Sequence, residues 1–177
     1  MAAYYRVFFK EEQKLKFVWI FLFLAILSFI FLFYALFQQL ILHKPWGSEP
    51  MPDSGLILVN IIIPLFLFSF YLIFRNSKLI IEVKEDGIYL RYPPQIIKNQ
   101  IFKFENIEKY YLRNYNAIKE YGGRGAKAIR PKAGISYSVS GNKGIQLILL
   151  DGTKILIGTQ KAQEFLMAIK KGKSKRI

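Results

Sequence analysis

The chain has 177 residues, of which 53% are hydrophobic and 16% aromatic, and its 26 Lys+Arg against 12 Asp+Glu give a net charge of +14. The high apolar content argues against an intrinsically disordered protein. Cysteine is absent and there is one histidine, so a disulfide scaffold, a thiolate nucleophile, a thiolate zinc site and an iron–sulfur cluster are excluded.

Two long uncharged segments come first in the chain, at residues 17–37 and 56–74. At about 1.5 Å per residue each helix would be roughly 28–32 Å long, which matches a hydrocarbon core of about 30 Å. Two buried helices of a soluble protein are the alternative, but the first segment shows no polar face. The sequence therefore predicts a transmembrane helical hairpin at 17–74, with an outer loop at 38–55.

The distribution of charge predicts the orientation of this hairpin. Residues 1–16 carry four basic and two acidic side chains. Residues 38–55 carry one basic and two acidic side chains, and residues 75–177 carry 21 basic and eight acidic side chains. Because Lys and Arg near the ends of spans stay on the cytoplasmic side, both termini are expected to be cytoplasmic. Residues 1–16 are interpreted as a basic cytoplasmic segment.

Three residues in the second span interrupt its aliphatic character. Asn60 and Ser69 are expected to hydrogen-bond to the first helix, and Pro64 is expected to kink the second. The spans contain no Asp, Glu, Lys, Arg or His, so the sequence gives no reason to expect a proton relay or ion-coupling site.

Residues 75–177 change to short β-rich segments separated by turns, which marks a second domain. Thr159 is expected to cap a helix that begins at Gln160 and ends near Lys171, before Gly172. The predicted strands are Lys78–Val83, Ile88–Tyr92, Gln100–Phe104, Ile107–Tyr115, Ile135–Val139, Ile145–Leu150 and Lys154–Gly158. An antiparallel meander of six or seven strands closed by one C-terminal helix is the plan of a pleckstrin-homology-like β-roll.

Short motifs in this domain resemble a known pattern. They are YGGxG at 121–125, YSVSGNKGxQL at 137–147, DG at 151–152 and LIGTQ at 156–160. Together they resemble an uncharacterised family of bacterial membrane proteins with a pleckstrin-homology-like domain behind two spans. The resemblance implies a location in a bacterial cytoplasmic (inner) membrane and supports the fold, and it implies no catalytic role. This chain departs from that pattern at Arg124, where the pattern has a tryptophan.

A glycine-rich basic loop is the candidate binding site. Glycines let an anion approach the backbone closely, and Arg offers a bidentate fork to phosphate. The candidate ligand-binding residues are Tyr121, Gly122, Gly123, Arg124, Gly125, Lys127, Arg130 and Lys132. The alternative interpretation is a solvated loop in which the glycines only form turns. The glycine spacing does not match a phosphate-binding P-loop.

Positive charge near a membrane has several possible uses. The tail at 170–177 contains five cations, and each can contribute about 1 kcal/mol beside an anionic leaflet. Nucleic-acid binding is not expected, because two spans fix the domain at the bilayer. Carboxylates are few and scattered, and the single histidine, His43, lies in the outer loop without a second metal donor at a suitable spacing.

The sequence therefore predicts a non-enzymatic binding or scaffolding module at the cytoplasmic face of the membrane, with no catalytic residue, metal or cofactor. Anionic lipid headgroups and a protein partner in the membrane are the expected partners, and the basic loop is also compatible with a phosphorylated ligand or an acidic partner. The alternative function is an accessory subunit of a larger membrane complex, with Asn60 and Ser69 as intramembrane contacts.

Overall fold

The computed structural model describes residues 6–130 and 133–174, with the backbone alone at 126–128. The chain forms two compact units. One is Lys16–Asn76, here called the hairpin unit. The other, here called the β domain, joins the segment that ends at Leu15 to the segment that begins at Ser77. The β domain is therefore interrupted in sequence by the hairpin unit.

The hairpin unit consists of two long helices. A 3-10 turn at Lys16–Val18 leads into α1 (Trp19–Leu36), a π-helical turn follows at Phe37–Ile41, and α2 is Asp53–Arg75. Both helical segments are long and apolar enough to cross a membrane. Each extends beyond the predicted 17–37 and 56–74, which shortens the connecting loop to residues 42–52.

Helix α2 begins earlier than predicted because of the residues before its first apolar position. Asp53 is an acidic residue in the first turn and Arg75 a basic residue in the last turn, and both charges interact favourably with the helix dipole. The side chain of Gln39 also holds the loop, since its Nε2 donates to the carbonyl of Met51 at 2.8 Å and to Oδ1 of Asp53 at 2.6 Å.

The polar side chains of α2 behave differently from the prediction. The Ser69 hydroxyl donates to the carbonyl of Leu65 in its own helix at 2.7 Å and not to α1. Asn60 is buried, and its Nδ2 has no acceptor among the described residues. The buried side chains are Ala25 and Ala35 in α1 and Leu56 and Asn60 in α2, while most of the other side chains of the two helices are exposed.

The first sheet of the β domain contains four antiparallel strands in chain order. They are β1 (Phe9–Lys14), β2 (Lys78–Val83), β3 (Gly87–Tyr92) and β4 (Ile96–Lys103). Lys14 pairs with Lys78, so the chain leaves and re-enters the sheet at neighbouring positions. Strand β1 falls in the segment that sequence analysis treats as a separate N-terminal piece.

The second sheet has the order β5-β8-β9-β7-β6. Its strands are β5 (Ile107–Asn114), β6 (Gly125–Arg130), β7 (Gly134–Ser138), β8 (Lys143–Leu149) and β9 (Lys154–Gly158), and the short helix α3 (Ala117–Tyr121) lies between β5 and β6. Strands β7 and β9 pair in parallel. The predicted purely antiparallel meander is therefore wrong, because β8 pairs with β5 and β9 and not with β7.

Helix α4 (Ala162–Ser174) packs on one core shared by both sheets. It begins two residues later than predicted, and Thr159 accepts from the Lys161 N–H at 3.0 Å just before it. Gly172 lies inside the helix and does not end it. It is buried, and a Cβ there would lie 2.5 Å from the Phe104 ring, so glycine is needed for close packing.

Strand β1 is fixed to the junction between β9 and α4. The buried Glu11 carboxylate accepts hydrogen bonds from the Thr159 hydroxyl and, at 2.9 Å, from the Gln160 N–H. Nε2 of Gln13 donates to the carbonyl of Gly158 at 2.9 Å. Two of the three side chains that β1 turns inward are thus polar.

Candidate functional site

The candidate site is built around helix α3, a single turn between β5 and β6. The Asn116 side chain caps it by accepting from the N–H groups of Ile118 at 3.1 Å and Lys119 at 3.0 Å. Gly122 ends it in the left-handed conformation with φ of 77°, and its N–H donates to the Ile118 carbonyl at 2.9 Å. The local sequence therefore fixes both ends of this short helix.

Helix α3 covers the face of the second sheet that points away from the main core. Tyr115, Ala117, Tyr121 and Leu156 form a small second core there, and the two tyrosine rings meet edge to face at 6.5 Å. Tyr121, the first residue of the predicted loop, is 3% exposed. Its ring therefore has a structural role and is not available as a surface contact.

Arg113 on β5 joins α3 to the sheet. Its Nε donates to Oε1 of Gln146 at 2.9 Å, its Nη1 to Oε2 of Glu120 at 2.7 Å, and its Nη2 to the Tyr121 hydroxyl at 2.9 Å. The Tyr121 hydroxyl in turn donates to the carbonyl of Ala133 at 3.3 Å. All three nitrogen atoms of the guanidinium donate hydrogen bonds, and the single ammonium group of a lysine could not reproduce this arrangement.

The charge states of this cluster follow from burial and neighbouring groups. Burial by itself would raise the pKa of the Glu120 carboxyl, but the Asn116 N–H and the Arg113 guanidinium lower the pKa below its ordinary value. Burial raises the pKa of the Tyr121 and Tyr115 hydroxyls. Near neutral pH the cluster therefore contains one cation, one anion and two protonated tyrosines.

A polar cavity of about 250 Å³ opens beside α3. Arg124 lies at this cavity, and its Nη2 donates to the carbonyl of Gly141 at 3.4 Å. The other lining residues are Tyr115, Asn116, Ala117, Ile118 and Asn142.

The structure brings part of the predicted loop together. The guanidinium of Arg130 lies against Gly122, where a Cβ would collide with it, so Arg124 and Arg130 both lie near the end of α3. Gly123 follows this end, and Gly125 begins β6. In the part of the chain that the structure describes, neither guanidinium pairs with a carboxylate.

Two predicted residues cannot be placed. Lys132 and the side chain of Lys127 lie outside the described residues, as do Lys175 and Arg176 of the basic tail. Over residues 6–130 and 133–174 no group of three His, Asp or Glu is arranged to hold a metal ion.

Sequence analysis missed Arg113 as the organising residue of this site. Gln146 belongs to one of the motifs quoted above, but nothing in the sequence linked it to Arg113, 33 residues earlier.

Comparison with known proteins identifies a family but no activity. No curated protein and no solved structure matches the chain. The model of one protein family, described as "Family of unknown function (DUF6141)", matches residues 4–174. This range includes the hairpin unit as well as nearly all of the β domain. The chain therefore belongs to the DUF6141 family.

Proposed function

We propose that this protein is a membrane-anchored, non-enzymatic binding module that presents a basic pleckstrin-homology-like domain at the cytoplasmic face of a bacterial inner membrane. The observation that carries the proposal is the insertion of an apolar helical hairpin between two paired strands of one domain. Lys14 and Lys78 are neighbours in the sheet, so residues on either side of the hairpin lie on the same side of any bilayer. The hairpin must then cross an even number of times, and its two helices supply two crossings.

Exposure of the hairpin side chains supports insertion into lipid. Leu58, Leu65 and Phe66 are 57%, 60% and 59% exposed, and they are typical of both helices. Soluble proteins rarely expose apolar patches larger than a few hundred Å². A bilayer removes this surface from water without any further protein.

The cytoplasmic placement of both termini rests on charge. Residues 75–177 carry 21 Lys+Arg against eight Asp+Glu, whereas the connection at 38–55 carries one Lys against two acids. Positive segments beside spans stay in the cytoplasm. Reporter fusions after Ser174 test the placement. A reporter that is active only in the cytoplasm should be active there, whereas activity of a reporter that works only outside the cytoplasm would contradict the orientation.

The pleckstrin-homology-like assignment is supported by two sheets that share one core and by a C-terminal helix packed on that core. The parallel pairing of β7 with β9 is a departure from the antiparallel plan. Such an architecture serves many functions, so the binding role must come from surface chemistry.

That surface chemistry is cationic around α3. Lys119 lies on α3, Arg124 and Arg130 lie near the end of this helix, and all three are exposed. A guanidinium that has no carboxylate partner is free to bind a phosphate in a bidentate manner. Anionic lipid headgroups are the ligands that a membrane-tethered surface of this kind meets at the highest concentration.

The lipid contact is tested on the full chain in nanodiscs. The sequence has no cysteine, so Ile118→Cys, at an exposed position of α3, gives a single site for a fluorophore. A quencher attached to the lipid headgroups then reduces the fluorescence when α3 approaches the bilayer. Quenching should require anionic lipid, weaken at high salt and be lost in Arg124→Ala/Arg130→Ala. The control Lys103→Ala/Lys109→Ala removes two exposed lysines elsewhere and should keep the quenching. Equal quenching in neutral discs would contradict the lipid contact.

An accessory subunit of a larger membrane complex is the second candidate. The observation that favours it is the groove of the hairpin unit, which contains the buried amide of Asn60. Purification in a mild detergent tests it, since a stoichiometric protein partner should be retained, and its absence would count against this function.

A further inference from the structure

A groove of about 540 Å³ runs along one face of the hairpin unit. On α1 it extends from Leu22 to Leu36, which is about 21 Å at 1.5 Å per residue. On α2 it is lined by Ile57, Asn60, Ile61, Pro64, Leu65 and Phe68. The groove is therefore as long as most of a membrane span and is almost entirely apolar.

One buried side-chain amide lies in the wall of this otherwise apolar groove. Asn60 is 6% exposed, and its Nδ2 has no acceptor among the described residues. Pro64 has no N–H, so the backbone carbonyl of Asn60, four residues earlier, also lacks its helical donor. In hydrocarbon no water satisfies such groups, and each one destabilises an isolated hairpin.

We propose that a second copy of this chain occupies the groove, so that two hairpin units form a four-helix bundle with the two Asn60 amides paired across a two-fold axis. The inference rests on the membrane location in the proposed function. An asparagine amide has both a donor and an acceptor, and so two symmetry-related copies can bond reciprocally.

A second copy fits these polar groups better than lipid does. Copies inserted with the same orientation place Asn60 at the same depth without further adjustment, whereas lipid tails bring no hydrogen-bonding group to that depth. The χ2 angle of asparagine is broad, which lets the amide turn toward the groove. Ala25, a small side chain in the groove wall, allows a close approach of helices.

The absence of cysteine from the sequence makes disulfide cross-linking a direct test. Ile57→Cys and Ile61→Cys place a thiol in the groove, while Leu58→Cys and Ile62→Cys place it at similar depth and exposure outside the groove. In membranes that contain the full chain, oxidation should give dimers several-fold faster at the two groove positions. Equal rates at all four positions would indicate random collision and would overturn the proposal.

The role of Asn60 is tested in the Ile61→Cys background. Asn60→Leu should weaken dimerisation in mild detergent about 3- to 30-fold, the range expected for a hydrogen bond between transmembrane helices. Ser69→Ala removes a hydroxyl that bonds within its own helix and should leave dimerisation unchanged. Unchanged dimerisation in Asn60→Leu would overturn the paired amides.

A separate readout distinguishes this proposal from the membrane function. The His43→Cys variant, with its thiol in the loop, should react with a membrane-impermeant maleimide on intact cells. If it does and the groove positions do not cross-link, the dimer alone is wrong. If it does not react, the membrane topology is wrong and the dimer fails with it.

Discussion

Glu11→Ala is expected to detach strand β1 from the β domain. The carboxylate accepts from the Thr159 hydroxyl and the Gln160 N–H, and hydrogen bonds to a charged group contribute about 1.5–3 kcal/mol each. Water replaces part of this loss, because Gln160 is exposed, so we expect a destabilisation of about 3 kcal/mol. Glu11→Gln keeps one acceptor oxygen and should cost about half as much.

Urea unfolding of the full chain in non-ionic detergent measures the effect, because detergent protects the hairpin and circular dichroism then follows the β domain. At an m-value of about 2 kcal/mol/M the midpoint of Glu11→Ala should fall by about 1.5 M. Glu12→Ala, one residue along on the exposed side of β1, is the matched control and should leave the midpoint nearly unchanged. Equal midpoints for the two variants would refute the reasoning.

Three further outcomes are expected. Arg113→Lys should destabilise the β domain by about 1–2 kcal/mol in the same assay, since one ammonium cannot bond to Gln146, Glu120 and Tyr121 together, and an unchanged midpoint would contradict this. Glu120 stabilises the folded state at pH values above 4.5, the ordinary pKa of the carboxyl group, and this stabilisation is lost as the pH falls through the lowered pKa of the folded state. An NMR titration of the Glu120 carboxyl group should show this pKa rising toward 4.5 in Arg113→Lys. Gly172→Ala should cost about 1–2 kcal/mol in thermal unfolding despite the better helix propensity of alanine, because the new methyl group meets a buried ring.

Strand β1 shows why part of the fold could not be read from the sequence. Its inward positions are Phe9, Glu11 and Gln13, so the usual alternation of apolar and polar residues is absent. The hydrogen-bond partners of these two side chains lie in the last residue of β9 and in the two residues that follow it, more than 140 residues away. The residues in and around β1 therefore give no indication of hydrogen-bond partners so far away in the sequence.

The hairpin between β2 and β3 was predictable because its signal is local. The predicted strand Lys78–Val83 matches β2 in both bounds, and the turn and alternating residues that follow it matched β3 closely. The predicted strands Ile145–Leu150 and Lys154–Gly158 match β8 and β9 closely for the same reason, because the turn residues Asp151 and Gly152 between them are also a local signal. The parallel pairing of β7 with β9 depends on tertiary packing and left no such signal.

The candidate site was found only in part. The glycines and arginines of the loop marked its location, and Gly122 does form a left-handed helix end. Tyr121 was interpreted as a ligand contact, but it is buried because Arg113 and α3 hold it against the sheet. A helix of five residues is too short to show helical periodicity, so its packing could not be anticipated.

The insertion of the hairpin into one domain is tested most directly by removing it. A chain in which a four-residue glycine-asparagine turn replaces residues 16–76 would join Leu15 to Ser77 and keep the pairing of Lys14 with Lys78. It should be soluble without detergent and unfold cooperatively in urea, whereas residues 77–177 alone, which lack β1, should be markedly less stable or aggregate. Equal stability of the two proteins would contradict the account, because β1 would then be no part of the domain.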